Sequence, residues 1–452
     1  MGAMNRAISR VKSAFTYDAL TPKGRRKAVS RTITREDNHT RGSKHRALQA
    51  NAGDLVRNMA VCAWAVRRHL DYVANFSFNT RTPRPEVNAQ IERLMTEDSR
   101  PERFDVAGKF GREKMFRIAE ARRVVDGDTL LVQMNDGRTQ GIQADLIKDP
   151  ADKQLDEEWI NGVRVTGTGR AMEFGIHKRE GYIGTVEHRR IKAANAIHYG
   201  FFGDRYAADQ VRGVSPLTAA LDPLRDLKDA ITLAQARSKV AQLFAMAISR
   251  DAPEDHGDDD ETEDPNYALD LNDPMLLNLQ PGDKAEFLES RTPSTEFQAF
   301  SVLVIQLALK ALDIPYSLFD GSASTFYGGR AEWLHYVAAC KDKRCDQLEM
   351  RRQFTVWKLR QWIRDGRLVL PRGWMVGDID FDWIPTSTNA WWDKGKETKG
   401  HVAAIGAGLD TPQRVCAELG MVYQDNIDAI AEAAEYAKSK GIVLPYATTT
   451  DA

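Results

Sequence analysis

Cysteine is scarce: four in 452 residues, Cys62, Cys340, Cys345 and Cys416, with no Cys-x-x-Cys pair. So few, so dispersed, exclude a disulfide framework and a clustered zinc site, and they point to a reducing compartment. No run approaches the ~18 apolar residues of a membrane span. The start, MGAMNRAISRVKSAF, has neither the apolar stretch nor the small-residue cleavage site of a secretory signal. The chain is therefore expected to be soluble and made in the cytoplasm. Also missing are a fixed-period repeat, a Walker loop, a serine-nucleophile motif and a metalloprotease motif. The nine histidines are scattered without ligand-like spacing. No catalytic residue, metal ligand or cofactor site is expected.

Net charge is nearly absent, at −1, so no global field draws the chain to nucleic acid or membrane. The sum hides segregation. Residues 1–50 hold twelve Lys and Arg against Asp18, Glu36 and Asp37, whereas Asp251–Asp264 holds nine carboxylates and no Lys or Arg. Such segregation suits different partners at different ends. The basic stretch reads as an arm without a core of its own, either a plain flexible terminus or a nucleic-acid contact. The acidic stretch, DAPEDHGDDDETEDPN, cannot pack on apolar surface and reads as an exposed loop. It lacks the ligand alternation and central Gly of a calcium loop.

What is present is apolar pattern. At 42% apolar residues the chain can bury a large core, and its length predicts two or three sub-structures. Leu55, Met59, Ala63 and Val66 share one helical face, with Arg57, Arg67 and Arg68 elsewhere. A helix over Arg112–Arg123 runs into Asp126-Gly-Asp128 and then the strand TLLVQM. The two aspartates read as a solvated turn rather than a metal-binding pair, because no third ligand is near in sequence. Strands flank Thr166-Gly-Thr-Gly169, so a hairpin turn is favoured over a phosphate-cradling loop. A long helix is expected over 215–250, with Ser215 as N-cap, Pro216 at the first position and Leu217, Leu221, Leu224 and Ile231 at helical spacing. Pro223 should kink it or split it into two pieces.

Phe300–Leu312, FSVLVIQLALKAL, is interrupted only by Ser301, Gln306 and Lys310 and is apolar on nearly every side. Exposing its large side chains costs ~1.5–3 kcal/mol each, so protein must wrap it, either its own chain or neighbouring subunits. A loop rich in Ser, Gly, Phe and Tyr spans Pro315–Gly329, where Gly328-Gly329 suits a mobile backbone. A helix follows from about Arg330 to Asp365, carrying Trp333, Val337, Cys340, Phe354 and Trp357 beside the block Lys341–Arg344. Thr411-Pro412 opens a short helix closed by Gly420, and an Ala-rich helix runs from about Asp425 to Gly441.

Asp204–Leu221, DRYAADQVRGVSPLTAAL, resembles the signature of the lambda-type portal family of bacteriophages. There a short β segment, here AIHYGFF, precedes Asp-Gln-x-Arg-Gly-x-Ser-Pro-Leu opening a long helix. The motif positions are Asp209, Gln210, Arg212, Gly213, Ser215, Pro216 and Leu217. The similarity continues in GVRVTGTGRAMEFGIHKR, LNLQPGDKAEFLESRTPSTEF, LALKALDIPYSLFDGSASTFYGGR, Trp392–Glu397 and AIGAGLDTPQRVCAELG, in family order over roughly residues 50–440. The chain departs at Asp313, where the family has Gly, at Gly328-Gly329, where Ser-Ser is common, and in the acidic stretch, which is its own.

The resemblance implies an α+β, mainly helical portal fold with wing, stem, clip and crown regions. It implies assembly as a closed ring, of twelve subunits in the virion, and no enzymatic activity. By position it implies a basic arm (1–50), a wing (51–214), a first stem helix (215–249), a clip (250–293), a second stem helix (294–314), a tunnel loop (315–329), a wing-to-crown helix (330–366) and a crown (367–452). Ser322, Ser324, Thr325, Phe326, Tyr327, Gly328, Gly329 and Arg330 would face DNA. Asp255, Asp258, Asp259, Asp260, Glu261 and Glu263 would form the partner-facing clip. Implied partners are other copies of the chain, double-stranded DNA without sequence preference, the packaging terminase, head-completion and adaptor proteins, tail connectors, and the major capsid and scaffold proteins, with no membrane. The implied location is the portal vertex of the virion capsid, after assembly in the host cytoplasm. Carboxylates along a channel repel phosphates, so DNA slides. Arg330 and Lys341–Arg344 would make weak backbone contacts or surface ion pairs.

Two other classes are distinguishable. A metal-dependent nucleic-acid enzyme using Asp126, Asp128 and the acidic run predicts divalent-dependent cleavage lost on Asp→Asn changes. A basic-arm nucleic-acid-binding protein without ring assembly predicts that deleting residues 1–45 abolishes binding and leaves oligomer size unchanged.

Overall fold

The structure, a computed structural model, describes residues 36–152, 158–181, 184–202, 208–243, 246–250, 283–287, 295–322, 324–386 and 393–444. In chain order the elements are α1 (Glu36–His39), α2 (Ser43–Asn58), α3 (Ala60–Val73), β1 (Phe76–Thr80), α4 (Pro85–Glu97), α5 (Pro101–Phe104), α6 (Arg112–Asp126), β2 (Asp128–Gln133), β3 (Thr139–Gln143), β4 (Glu158–Ile160), β5 (Val163–Val165), β6 (Ala171–Glu180), β7 (Gly184–Lys192) and β8 (Ala196–Gly200). Then follow a 3-10 turn (Pro216–Ala220), α7 (Leu221–Leu243), β9 (Met246–Arg250), β10 (Asp283–Phe287), α8 (Thr295–Lys310), α9 (Phe326–Arg364), β11 (Phe381–Pro385), α10 (Lys394–Gly406), α11 (Pro412–Glu418) and α12 (Tyr423–Ser439). The chain is α+β and mainly helical. No helix among the described residues is long and apolar enough to cross a membrane.

Chain contacts divide it into two compact units. The first comprises Met1–Ala50, Phe78–Pro216 and Leu348–Trp383. It holds a three-stranded antiparallel sheet, β3-β2-β8, and a four-stranded antiparallel meander, β4-β5-β6-β7. The central strand β2 reads DTLLVQ and is buried at all six positions, as a strand covered on both faces must be. Leu130, Val132, Ile142, Val163, Phe174 and Ile191 of the two sheets share one core. Thr166–Gly169 is the hairpin expected: Thr166 N donates to Arg170 O at 2.9 Å, and Gly169 takes φ +83°.

A second core lies between α5, α6 and the last part of α9, where Phe104, Phe116 and Phe354 pack with centroids 5.2–5.8 Å apart. The inner face of α9 also carries charge. Lys358, with no exposed surface, donates to Asp98 Oδ2 at 2.9 Å and Gly137 O at 2.7 Å. Trp362 Nε1 and Arg367 Nη1 reach the same carboxylate at 2.8 and 3.0 Å. Burial lowers the Lys358 ammonium pKa, and Asp98 opposes that shift. A buried ammonium persists where a carboxylate and a carbonyl compensate it, as here.

The second unit comprises Asn51–Ser77, Leu217–Gln347 and Ile384–Ala452. Helices α7 and α8 pack on each other, and Tyr72 of α3 meets Tyr336 of α9 edge-to-face at 4.9 Å. The block Lys341–Arg344 is partly structural: Lys343 pairs with Asp313 at 2.7 Å, and Arg344 Nε donates to Tyr72 O at 2.8 Å. Asp313 itself explains the Gly of the family at that position. It follows α8 at φ +58°, and Ile314 N closes back on Leu309 O at 3.0 Å. A helix ending in this way needs a left-handed residue, and Asp is among the few non-glycines that tolerate it. Near the C-terminal end Thr411 caps α11, its hydroxyl accepting from Arg414 N at 3.2 Å.

Several expectations are corrected. Residues 36–50 of the basic arm are not a free arm: Asp37, Thr40, His45 and Gln49 are buried in the first unit, while residues 1–35 lie outside the described residues. Met59 is extended, at φ −129°, and separates α2 from α3, so the face from Leu55 to Val66 belongs to two helices. The Ser215 hydroxyl donates to Val124 O at 2.7 Å, and the helical run begins right after it with the 3-10 turn at Pro216. The run from Pro216 is in two pieces, a 3-10 turn to Ala220 and an α-helix from Leu221, so Pro223 sits in the first turn of the second piece, where a missing N–H costs nothing. That helix also stops at Leu243. Met246–Arg250 is instead a strand paired with Asp283–Phe287. Gly328 and Gly329 lie inside the first turn of α9 rather than in a mobile loop.

Candidate functional site

The signature residues Arg212 and Gly213 close on the turn Asp126-Gly127-Asp128, and the two sequence features form one site. Strands β2 and β8 run antiparallel, with Asp128 opposite Gly200; the chain leaving β8 therefore returns beside the start of β2. There the backbones of Gly127 and Gly213 touch. A Cβ on Gly213 would lie 2.2 Å from Gly127 O, and one on Gly127 would lie 2.5 Å from Gly213 O. Gly127 also holds φ +95°, so both glycines are required by space and one by conformation as well.

This approach delivers Arg212 to Asp128. Nε and Nη2 of the guanidinium donate to Oδ2 and Oδ1 at 2.6 and 2.9 Å, a bidentate pair. The remaining N–H groups donate to the carbonyls of Ala144, Ile147 and Asn161. Asp128 further accepts from Gly213 N at 2.9 Å and His198 Nε2 at 3.1 Å. Burial alone would raise the Asp128 carboxyl. The Arg212 charge and the hydrogen bonds from His198 and Arg212 outweigh it and hold the group well below the usual carboxylate range. A planar fork meeting a carboxylate, with every other donor on a carbonyl, is the arrangement that tolerates full burial.

A second layer fixes the first. Asp37 accepts from Val211 N at 2.9 Å and Arg212 N at 3.0 Å. His45 Nε2 donates to Gly213 O at 2.9 Å, and burial followed by the nearby Arg212 charge lowers its pKa. Gln210 Nε2 donates to Arg212 O at 2.8 Å. Leu217 is buried, and Pro216 begins the 3-10 turn. Asp209 lies in the turn that precedes Gln210 and is exposed. The signature is therefore a buried latch that fixes where the chain leaves the sheets.

The solvated-turn expectation for Asp126 and Asp128 is overturned: both are buried. Asp126 is pushed up to about 6, first by burial, with Arg122 at 3.4 Å opposing and Asp128 adding to it. The oxygens of Asp128 are occupied by Arg212, Gly213 and His198, so the pair does not present a metal site. Among the described residues no group of three or more His, Cys, Asp or Glu could hold a metal ion.

The residues assigned by resemblance to the tunnel loop belong to the second unit. Asp320 Oδ1 accepts from Ser322 N at 2.9 Å, Ser324 N donates to Gly321 O at 3.3 Å, and Thr325 Oγ1 accepts from Gly328 N as α9 begins. Phe326 and Tyr327 stand edge-to-face at 5.5 Å, with Tyr327 79% exposed. Arg330 lies 3.5 Å from Glu397. The acidic residues Asp255, Asp258, Asp259, Asp260, Glu261 and Glu263 lie outside the described residues. Sequence reasoning missed Asp37, His45 and Asp98. A buried Lys358 in helical register with Phe354 and Trp362 was the available signal for Asp98, since a cation on an apolar face implies a carboxylate opposite.

The family model described as phage portal protein, lambda family, matches residues 23–344. No curated protein matches the chain. Among solved structures, a chain in the neck of an empty gene transfer agent (GTA) particle is 16% identical, with a TM-score of 0.48 over 84% of this chain and 94% of that one. A chain in the virion of a native GTA particle is 14% identical, with a TM-score of 0.46 over 83% and 93%.

Proposed function

The chain belongs to the lambda family of phage portal proteins, and from that premise we propose that copies of it close into a ring, twelve in the virion, that conducts double-stranded DNA through a capsid vertex. The observation that carries the ring is one helix. On α8, Val304, Ala308 and Leu309 are buried, but Phe300, Leu303 and Leu307 remain 45, 53 and 51% exposed. These three fall at helical spacing on one stripe, so the described residues cover only one side of the helix. Covering the other side gains on the order of 1 kcal/mol per side chain, and a repeated neighbour is the cover that a closed ring supplies.

In this reading α7 and α8 are stem helices and the segment before α9 is the tunnel loop. Where that segment runs into the first turns of α9, the exposed Phe326 and Tyr327 and the half-buried Arg330 offer apolar and weak cationic contact without base readout. The acidic clip residues face a partner or DNA. The ring makes and breaks no bond: terminase docks on it during packaging, and head-completion and connector proteins follow. It is assembled in the host cytoplasm and resides at the portal vertex.

Native mass measurement with negative-stain imaging tests the ring. Wild-type protein is expected as a closed ring with a central pore. A Leu303→Glu, Leu307→Glu variant is expected as single copies that melt cooperatively. Wild-type protein that stays single-copy at every concentration sinks the reading.

A further inference from the structure

The surface of the first unit carries a cavity of about 560 Å³ over the segment Ala144–Asp149. Its floor is rigid. Lys148 N donates to Gly175 O at 3.0 Å. A Cβ on Gly162 or Gly175 would lie 2.4 or 2.3 Å from Lys148 backbone atoms. Asn161, held at φ +46°, accepts from Gly42 N at 3.2 Å and donates to Thr40 O at 3.4 Å, which ties the α1–α2 turn to the rim. The walls are thus set before any ligand arrives.

Three cations line this cup: Arg41 in the turn before α2, Arg46 in the first turn of α2, and Lys148 from the floor. None forms an ion pair with a described residue. The fourth lining cation, Arg212, is matched by Asp128 behind it. The one lining carboxylate, Asp149, already accepts from Gly162 N, and Asp145 nearby is paired with Arg179 at 3.0 Å. Lys148 donates to a neutral partner, Thr185 Oγ1. Burial and like charge bear on the same groups. Lys148 is depressed by burial and then by Arg46, and His177 by burial and then by Lys148, with Asp145, Asp149 and Glu187 offsetting only part. The first turn of α2 adds positive peptide dipoles. A half-enclosed excess of positive charge is relieved by an anion.

We propose that this cup binds a phosphate group, with Lys148, Arg46 and Arg41 neutralising it. A tetrahedral oxyanion offers acceptors in several directions and about two charges, which matches cations arriving from two walls. A single carboxylate supplies one charge in one plane. The cavity is larger than inorganic phosphate, and buried Trp159 forms part of its wall, so the phosphate is either free or carried by a nucleotide. The site lies within one unit of one chain and does not depend on ring formation.

Calorimetric titration of the full-length protein in chloride buffer tests this, with inorganic phosphate, adenosine monophosphate and a glutamate-rich peptide as separate probes. Saturable binding of one phosphate per chain is expected, weakened about tenfold by Arg46→Gln and again by Lys148→Gln. Lys148→Arg should retain it, and Arg364→Gln elsewhere on the unit should leave it unchanged. Equal affinity for phosphate and the nucleotide identifies a free-phosphate site; nucleotide binding about tenfold tighter identifies a nucleotide site. Circular dichroism checks folding, and Arg46, exposed on α2, carries the test if the Lys148 variants do not fold. No saturable heat, binding indifferent to Arg46→Gln, or tighter binding of the acidic peptide overturns the proposal.

Discussion

The latch of the first unit and the stripe on α8 of the second treat burial in opposite ways. Around Arg212 the chain buries charge and satisfies it completely from its own residues. Along Phe300, Leu303 and Leu307 it leaves apolar surface in water with no local partner. Polar burial demands fixed geometry, which one chain can build for itself. Apolar burial needs only area, which another molecule can supply. The region complete in the single chain is the one that must be right before assembly, and the incomplete region is the one that assembly can finish.

That contrast can be broken, first at the latch. Arg212→Ala leaves Asp128 buried without its counter-charge and should cost about 3–5 kcal/mol, read as a fall in the denaturant midpoint of the first unit. A loss near the level of a surface substitution would mean that water enters and the latch is not sealed. Gly213→Ala forces a methyl against Gly127 O and should cost about 1–3 kcal/mol, read in the same titration. If it is silent, the two backbones are not held in contact.

The pH dependence sharpens the picture. Asp128 has a folded pKa below its unfolded value, so its contribution is present above the ordinary carboxylate range and is lost only as pH falls through the depressed value. Asp126 runs the other way. Its folded pKa, about 6, lies above its unfolded value, so ionising it weakens the fold as pH rises through that window. Asp126→Asn should therefore stabilise the protein at pH 8 by on the order of 1 kcal/mol and change little at pH 4, as melting curves at the two pH values will show. The smallest effect belongs to the stripe. Leu303→Ser in dissociated single chains should stay within about 0.5 kcal/mol of wild type. A loss of several kcal/mol would mean that the chain itself covers α8.

Features decided by neighbours along the chain were legible. The hairpin at Thr166–Gly169, the cap at Thr411 and the helix from Arg112 all follow from local turn, cap and periodicity signals. The α8 pattern announced an unusual demand for cover, though not who meets it. The errors share one cause. Asp126-Gly-Asp128 has the composition of a solvated turn and Gly328-Gly329 that of a mobile loop, and each was judged by its own few neighbours. Arg212 lies 84 residues from Asp128, and Asp37 lies 175 from Arg212, so nothing local marks them as partners.

By itself the sequence determined the helical periodicities, the turns, the apolar strand at the centre of the sheet and the order of motifs that carries the family. Tertiary structure alone decided that a turn aspartate would meet a signature arginine and that both would be dry. It also decided that Ser215 would bond a distant carbonyl and which side of α8 would stay exposed. The physical reason is range. Propensity and periodicity act over a few residues, whereas pairing of charge and exclusion of water depend on which segments the fold brings within hydrogen-bond distance.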